Sequence, residues 1–545
     1  MNQAQRLRER FSQRPLLLNI ILDGYGLGKR DDTDAVFLAK TPVMDRLLAT
    51  YAQSQILTHG PYVGLPGATD LGGSEVGHLT LGAGMILDQG PTMINKALAS
   101  GKFFELATLH QLMRVGREKS LHLLGLLSDG NVHSHINHFI ALIQEAAKRG
   151  VERLYLHALF DGRDVAIQSA DQYVEQIEAV FARIRQDHPT YDYRFASAGG
   201  REVITMDRDK NWSKVQKGYE THVLGQAGTA FPSALEGILY YRGQQPDLVD
   251  QDMPPYNITG SQGDIPRMHD GDALLFVNFR ADRAAQFAQV MDDPNFVPFP
   301  LPDRPQMLFC GMCVYDEDTN LPKHILMGSP EVAEPFGRRI LELNKTQFRL
   351  AETQKFAHVT FFFNGGYRNP LNPEKEEYKL IPSDKINNFA LAPQMKALEI
   401  AAQAKTFIHA GTFDYGLINF ANADMVGHTG DLKAAVAAVE TVDTALGQVL
   451  AALEAKGGVA LITADHGNAD EMLIFNKKTG KMERSTKHSI NPVPVVIFDP
   501  GYDGSYHLKP CDQGEPNTLA MVAATNYILM GREIPPDLAA PLILL

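Results

Sequence analysis

Cysteine is scarce in this chain of 545 residues: Cys310, Cys313 and Cys511 are the three it has. Three thiols cannot build the disulfide framework of a small secreted protein, and they fit a reducing compartment. Cys310 and Cys313 form one Cys-x-x-Cys, but it lies in the apolar run 307–314, which reads as a buried strand, and no second pair accompanies it. That argues against a zinc finger or a dithiol redox site. Long hydrophobic runs are missing too. The run 16–22 is already broken by Asn19, far short of the roughly 20 apolar residues that span a bilayer. Residues 1–14 are polar and basic, with neither the apolar stretch of a signal peptide nor the serine-rich character of a transit peptide. Positive charge is in deficit: 51 Lys and Arg stand against 64 Asp and Glu, a net charge of −13. Without a basic excess, a general nucleic-acid or anionic-membrane surface is excluded, and an anionic substrate would need a local arginine cluster. No fixed-period repeat or low-complexity block is present. The default reading is a cytoplasmic, enzyme-sized protein.

What is there begins with ordinary globular composition, 44% hydrophobic and 21% charged, spread over a length that suggests about two to four domains. Short apolar runs alternate with segments of helical periodicity, the pattern of βα units in a mostly parallel sheet. The runs end alike. Residues 16–22 end in Asp23-Gly24, 121–127 in Ser128-Asp129-Gly130, and 154–160 in Asp161-Gly162-Arg163-Asp164. Likewise 274–279 runs into Arg280, 359–363 into Asn364-Gly365-Gly366, and 459–463 into Ala464-Asp465-His466-Gly467. Ligands of open α/β sheets bind at the carboxyl ends of strands, so these polar ends mark candidate sites. The clearest helix spans 432–456, with Val436, Val439, Val442, Leu446, Val449 and Leu453 on one stripe and Gly457-Gly458 as its stop. Turn-rich stretches at 88–91 and 327–337 read as interdomain connections. Residues 90–329 would then be inserted in a domain made of 1–89 and 330–545. Within the insertion, 231–268 is rich in Gly, Pro, Gln and Asp and reads as a long surface excursion.

Four pieces carry chemistry. Ser74 sits in Asp70-Leu71-Gly72-Gly73-Ser74-Glu75-Val76-Gly77-His78, a glycine-rich turn expected to take positive φ and to let a bulky group approach a nucleophile. Asp424 and His428, four residues apart, share a helical face and could meet one metal ion. Asp465 and His466 can converge at a strand end that turns through Gly467. His488 precedes another apolar strand and, alone, reads as a loop histidine. With Asp23 these pieces suggest two divalent ions, and their carboxylate–imidazole character suits manganese, zinc, cobalt or magnesium. A cation at the serine oxygen would ease its deprotonation without a neighbouring general base.

Set in order, Asp23-Gly-Tyr-Gly, Gly-Gly-Ser74-Glu-Val-Gly-His, Asn422-Ala-Asp424-Met-Val-Gly-His428, Thr463-Ala-Asp465-His466-Gly-Asn and His488-Ser-Ile-Asn-Pro-Val-Pro closely resemble the cofactor-independent phosphoglycerate mutases of the alkaline phosphatase superfamily. Further matches, among them Ser128-Asp-Gly-Asn-Val-His133, Met206-Asp-Arg208-Asp, Asn278-Phe-Arg280-Ala-Asp-Arg283 and Ala351-Glu-Thr-Gln-Lys355, extend the resemblance over nearly the whole chain. It implies an α/β fold: an alkaline-phosphatase-like three-layer αβα domain, split in sequence, with an inserted second α/β domain. It implies that Asp424, His428 and His488 hold one ion and Asp23, Ser74, Asp465 and His466 the other, manganese being the expected metal. It assigns the substrate to His133, Arg163, Asp164, Arg201, Arg208, Arg280 and Arg283 of the insertion, with Lys355 from the first domain. The implied activity is interconversion of 3-phosphoglycerate and 2-phosphoglycerate through a phosphoserine on Ser74. Lys355 would stabilise the transferring group, Asp164 would carry protons at the glycerate hydroxyls, and no 2,3-bisphosphoglycerate would be needed. A monomer acting on a small anionic substrate, with no nucleic-acid or membrane partner, is expected. A metal-dependent phosphatase or another phosphomutase of the superfamily is the competing activity, while an inactive scaffold is disfavoured because every ligand and nucleophile position is filled. His135 and His138 read as scaffold. The chain departs from the family in having Gly73 where asparagine is frequent and Met85 where arginine is frequent.

Overall fold

The computed structural model describes residues 3–207, 210–259, 263–301, 303–316, 319–328, 332–386, 388–476, 480–512 and 514–544. The chain divides into two compact units, Met1–Gln89 with Pro330–Leu545, and Gly90–Ser329.

The first unit is built on a seven-stranded sheet in the order Glu376–Ile381, Gln347–Glu352, Tyr415–Phe420, Leu17–Leu22, Val459–Thr463, Val493–Phe498, Ala52–Ile56. The first five run parallel. Val493–Phe498 runs against both of its neighbours. The three central strands are buried at every position, which is why they read as mostly apolar runs rather than alternations. The helix Leu432–Ala455 is capped by the Asp431 carboxylate, which accepts from the Ala434 amide at 3.0 Å. Among the described residues it is the one helix long and apolar enough to cross a membrane. Its apolar stripe of Val439, Val442, Leu446, Val449 and Leu453 is buried in the core of this unit.

The second unit holds an eight-stranded sheet in the order His324–Ile325, Leu308–Gly311, Ala273–Phe276, Leu121–Leu126, Arg153–Phe160, Asp192–Gly200, Tyr256–Ile258, Ala230–Phe231. All pairs are parallel except Asp192–Gly200 with Tyr256–Ile258. Side chains alternate across a strand, and here each face has its own core. Leu121, Leu123, Ala273 and Leu275 join one cluster, and Leu124, Leu126, Leu274 and Phe276 the other.

Two sequence expectations fail here. Residues 359–363 are not a strand: His358–Phe362 is a π-helical segment, since a short apolar run cannot distinguish a buried strand from buried helix. Residues 231–268 are not a mere excursion. They contain the helix Ala234–Gln244, capped by Ser233 on the Glu236 amide, and the sheet strand Tyr256–Ile258, with Ala234, Ile238 and Tyr256 buried. Their polar composition belongs mainly to the turns, since the exposed side of the helix carries Leu239 and Tyr240. Cys310 is buried in its strand, and the three cysteines are free thiols.

Candidate active site

Four neighbouring parallel strands of the first unit deliver side chains at their carboxyl ends. Asp23 follows Leu17–Leu22, and Asp465 and His466 follow Val459–Thr463. Asp424 and His428 come from the short helix Asn422–Gly427 after Tyr415–Phe420, and Lys355 from the turn Thr353–Lys355 after Gln347–Glu352. His488 instead precedes its strand. Because Val493–Phe498 runs antiparallel to Val459–Thr463, its beginning lies at the edge where the parallel strands end, and the loop histidine arrives among the others.

Two groups of ligand-type atoms result, Asp424 with His428 and His488, and Asp23 with Asp465 and His466. Asp424 Oδ1 is 3.1 Å from His428 Nε2 and 3.3 Å from His488 Nε2. In the second group, His466 Nε2 is 3.6 Å from Asp23 Oδ1 and 3.6 Å from Asp465 Oδ2. The other ring nitrogen of each histidine faces a carbonyl oxygen: His428 Nδ1 on Thr486 at 2.9 Å, His488 Nδ1 on Gly72 at 2.7 Å, and His466 Nδ1 on Gly467 at 3.3 Å. A carbonyl only accepts, so Nδ1 carries the proton and each Nε2 presents a lone pair. That is the orientation of metal-binding histidines. The two lone pairs of His428 and His488 stand 3.1 Å apart, with a carboxylate oxygen beside them, and such a triad suits a cation at its centre. Three buried carboxylates surround the single ammonium of Lys355, more acceptors than it can satisfy. The residues therefore fit divalent ions.

Lys355 Nζ donates to Asp23 Oδ1 and to Asp424 Oδ2, each at 2.7 Å, and to Ser74 Oγ at 2.5 Å. Burial disfavours its ammonium, but Asp23, Asp424 and Asp465 outweigh that and raise its pKa. Burial, and then the Asp465 carboxylate, push the Asp23 carboxyl up to about 7. Asp424 and Asp465 go the other way despite burial, held well below the usual range by Lys355 and by the neighbouring imidazoles. Burial carries His466 down to about 3. At His428 burial is outweighed by the Asp424 carboxylate, which raises its pKa, and a metal ion at that point competes with that proton.

Ser74 is not in a turn. It is the first residue of the helix Ser74–Ala83, with Gly73 at the N-cap, and only 7% exposed. Its Oγ lies 3.2 Å from Asp23 Oδ1 and 2.9 Å from His466 Nε2, so carboxylate and imidazole groups do adjoin it. Nor do Gly72, Gly73 or Gly77 adopt positive φ. Close approach explains two of them: a Cβ on Gly72 would stand 1.9 Å from the Thr58 carbonyl oxygen, and one on Gly77 2.9 Å from Asp465 Cβ.

The second unit gathers the cationic residues by the same device, at the carboxyl ends of its own adjacent parallel strands. His133 follows Leu121–Leu126, Arg163 and Asp164 follow Arg153–Phe160, Arg201 follows Asp192–Gly200, and Arg280 and Arg283 follow Ala273–Phe276. Arg201 Nη1 donates to Asp161 Oδ1 at 2.8 Å and to Asp164 Oδ2 at 2.5 Å. Burial, then the guanidinium groups of Arg201, Arg280, Arg283 and Arg163, drive His133 down to about 2. Four arginines thus act on one imidazole, a gathering of donors that could hold an anion. Arg208 lies outside the described residues. His135 caps the helix Ile136–Lys148, and His138 contacts Asn95.

Sequence reasoning missed several supporting residues. Asn419 Nδ2 donates to Asp23 Oδ2 at 2.8 Å, and Asn468 Nδ2 to Asp424 Oδ1 at 2.8 Å. His78 Nδ1 donates to the Ser74 carbonyl at 2.8 Å and lies 3.3 Å from Asp465 Oδ2. The available signal was an asparagine inside a wholly buried apolar strand, a polar group that must find a partner.

A model of the Metalloenzyme superfamily matches residues 15–533. The 2,3-bisphosphoglycerate-independent phosphoglycerate mutase of Trypanosoma brucei brucei is 40% identical over 539 residues, 97% of each chain. That of Nicotiana tabacum is 40% identical over 536 residues, covering 96% of this chain and 95% of the relative. The solved phosphoglycerate mutase of Leishmania mexicana, determined at low cobalt concentration, matches with a TM-score of 0.75 and 38% identity over 98% of both chains. By near-full-length identity and by fold, the chain belongs to the 2,3-bisphosphoglycerate-independent phosphoglycerate mutases, isomerases within the Metalloenzyme superfamily.

Proposed function

We propose that the protein interconverts 3-phosphoglycerate and 2-phosphoglycerate in glycolysis and gluconeogenesis, with Ser74 as the phosphoryl carrier. The observation that carries this reading is the position of Ser74 Oγ, in contact with Asp23, His466 and Lys355 where the two ligand groups meet. Asp424, His428 and His488 would hold one divalent ion and Asp23, Ser74, Asp465 and His466 the other. Bound there, the ions would lower the pKa of the serine hydroxyl and neutralise phosphoryl charge. Manganese is the proposed metal. Ser74, its proton given up to solvent, attacks phosphorus in line, the bond to the glycerate oxygen breaks and that oxygen takes a proton through Asp164. The phosphoryl group rests at the N-terminus of the Ser74–Ala83 helix until the other glycerate hydroxyl, deprotonated through Asp164, attacks it and releases Ser74 Oγ. Backbone amides and the helix dipole favour negative charge there. The Lys355 ammonium stabilises the charge on the transferring group.

The second unit keeps the glycerate. Arg163, Arg201, Arg280 and Arg283 bind its carboxylate and phosphate, joined by His133 and by Arg208, and Asp164 carries the proton at the hydroxyls. Retention of the glycerate separates a mutase from a phosphatase, which would give the phosphoryl group to water. The three free thiols and acidic balance support a monomeric enzyme of the cytoplasm. The test is to incubate metal-replete protein with 3-phosphoglycerate and no bisphosphoglycerate, then to measure 2-phosphoglycerate against free phosphate. Accumulation of 2-phosphoglycerate supports the mutase, whereas free phosphate alone selects the phosphatase.

A further inference from the structure

Each described arginine of the anion pocket already holds a carboxylate. Arg201 is on Asp161 and Asp164, Arg280 is on Asp282, and Arg163 and Arg283 share Glu202. The aspartates lie within or beside the motifs that position the arginines. Glu202 lies beside Arg201, directly after the strand Asp192–Gly200, yet it pairs with arginines from two other strand ends. Its Oε1 accepts from Arg163 Nη1 at 3.3 Å and from Arg283 Nη1 at 3.0 Å, and its Oε2 accepts from Lys214 Nζ at 3.1 Å. One carboxylate thus takes three cationic donors while its side chain is 25% exposed and that of Arg163 is 52% exposed. Arg283 has a second anchor, the Met206 carbonyl oxygen at 3.3 Å, so its guanidinium stays placed without Glu202. Among the described residues, the ion pairs of the pocket comprise five cations, Arg163, Arg201, Lys214, Arg280 and Arg283, and four carboxylates, Asp161, Asp164, Glu202 and Asp282.

We propose that Glu202 is an affinity-setting residue that competes with the anionic ligand: its carboxylate occupies donors of Arg163, Arg283 and Lys214 that the incoming anion must take over. The inference rests on the reading of this pocket as the phosphoglycerate site. An anion entering the pocket exchanges one carboxylate partner for another instead of satisfying bare cations, so its affinity is moderated and its release is faster. Competition and positioning make opposite predictions. A competitor removed leaves freer donors and tighter binding, whereas a support removed leaves slack guanidinium groups and weaker binding.

The test compares the full-length, metal-replete wild type with Glu202→Gln and Glu202→Asp. Calorimetry at low ionic strength measures affinity for inorganic phosphate and for 3-phosphoglycerate, and steady-state kinetics follow the mutase reaction. Glu202→Gln preserves shape and removes the charge, and it should tighten both ligands roughly three- to tenfold, lowering KM and slowing product release. Glu202→Asp keeps the charge and should stay near wild type. In an Arg163→Ala background the gain from Glu202→Gln should shrink, because one of the three contested donors is gone. Unchanged or weaker phosphate binding in Glu202→Gln overturns the competition. The phosphate arm does not depend on turnover. Tighter phosphate binding in a protein that makes no 2-phosphoglycerate would leave Glu202 as a competitor and remove the mutase reading instead.

Discussion

Ser74 owes its usefulness to neighbours that come from elsewhere in the chain, which makes single substitutions around it informative. Ser74→Ala removes one oxygen, and Lys355 keeps both aspartate partners. Mutase activity should fall by about three orders of magnitude or more, while thermal unfolding stays close to wild type and the ion at Asp424, His428 and His488 still binds. Steady-state rates and a calorimetric metal titration check both halves of that expectation. The flanking glycines differ in what they tolerate. At Gly72 an added Cβ meets the Thr58 carbonyl oxygen at 1.9 Å, a backbone atom that cannot swing away, whereas at Gly73 the nearest atom is His488 Cε1 at 3.5 Å. Gly72→Ala should cost about 1–3 kcal/mol of stability by forced backbone shifts, read as a lower denaturant midpoint. Gly73→Asn has room, and it supplies an N-cap acceptor that should gain a few tenths of a kcal/mol over glycine. The glycine cluster was legible in the sequence as a site of close approach, but its φ angles and the start of the helix at Ser74 were not.

At the scale of elements, the polar tails of apolar runs were the readable signal. Asp23, Asp465 and His466, and Arg163 and Arg280 in the other unit, stand at strand ends because parallel strands bring all their carboxyl ends to one edge. His488 could not be read that way, since the direction of its strand depends on tertiary pairing. Residues 359–363 carried no periodicity to separate helix from strand. A row of buried histidines in the second unit escaped altogether. His122 Nδ1 is 3.0 Å from His157 Nε2, and His157 Nδ1 is 2.6 Å from Ser197 Oγ. Ser197 Oγ is in turn 2.7 Å from His222 Nδ1, and His222 Nε2 is 3.1 Å from Thr205 Oγ1. Nothing local links these positions, which sit on three strands, a helix and a loop. At one end His122 Nε2 is 3.4 Å from Asp272 Oδ2, which favours an N–H there and so one sense of donation along the row. Burial holds all three imidazoles below their usual pKa, His222 at about 3. The unfolded chain therefore binds protons that the folded unit refuses. Stability is fully present above about pH 6.5 and falls as pH drops toward the folded-state value. At pH 4.5 His222 alone should cost on the order of 2–3 kcal/mol. Urea unfolding at pH 7.5, 6 and 4.5 measures the slope, and His222→Gln should flatten it.

For the molecule as a whole, the two units have separate sheets and separate cores, while the ligand groups belong entirely to the first. Chelation should therefore lower one unfolding transition and leave the other in place, by about 2.7 kcal/mol for each ion present at 100 times its Kd. Calorimetry with and without chelator, followed by restoration with manganese, checks this. The same arrangement bears on how the protein is made. Leu17–Leu22 lies at the middle of its sheet, yet both of its partners, Tyr415–Phe420 and Val459–Thr463, come about 400 residues later, after the whole of the second unit. At about 5–20 residues per second on the ribosome, that apolar strand waits some 20–80 s with neither edge paired. An unpaired apolar strand is a template for association with other chains. The second unit can fold during this interval, but the first must be shielded until its last strands emerge. A chain truncated shortly after residue 410 should accordingly be recovered as aggregate, with the second unit alone resisting proteolysis.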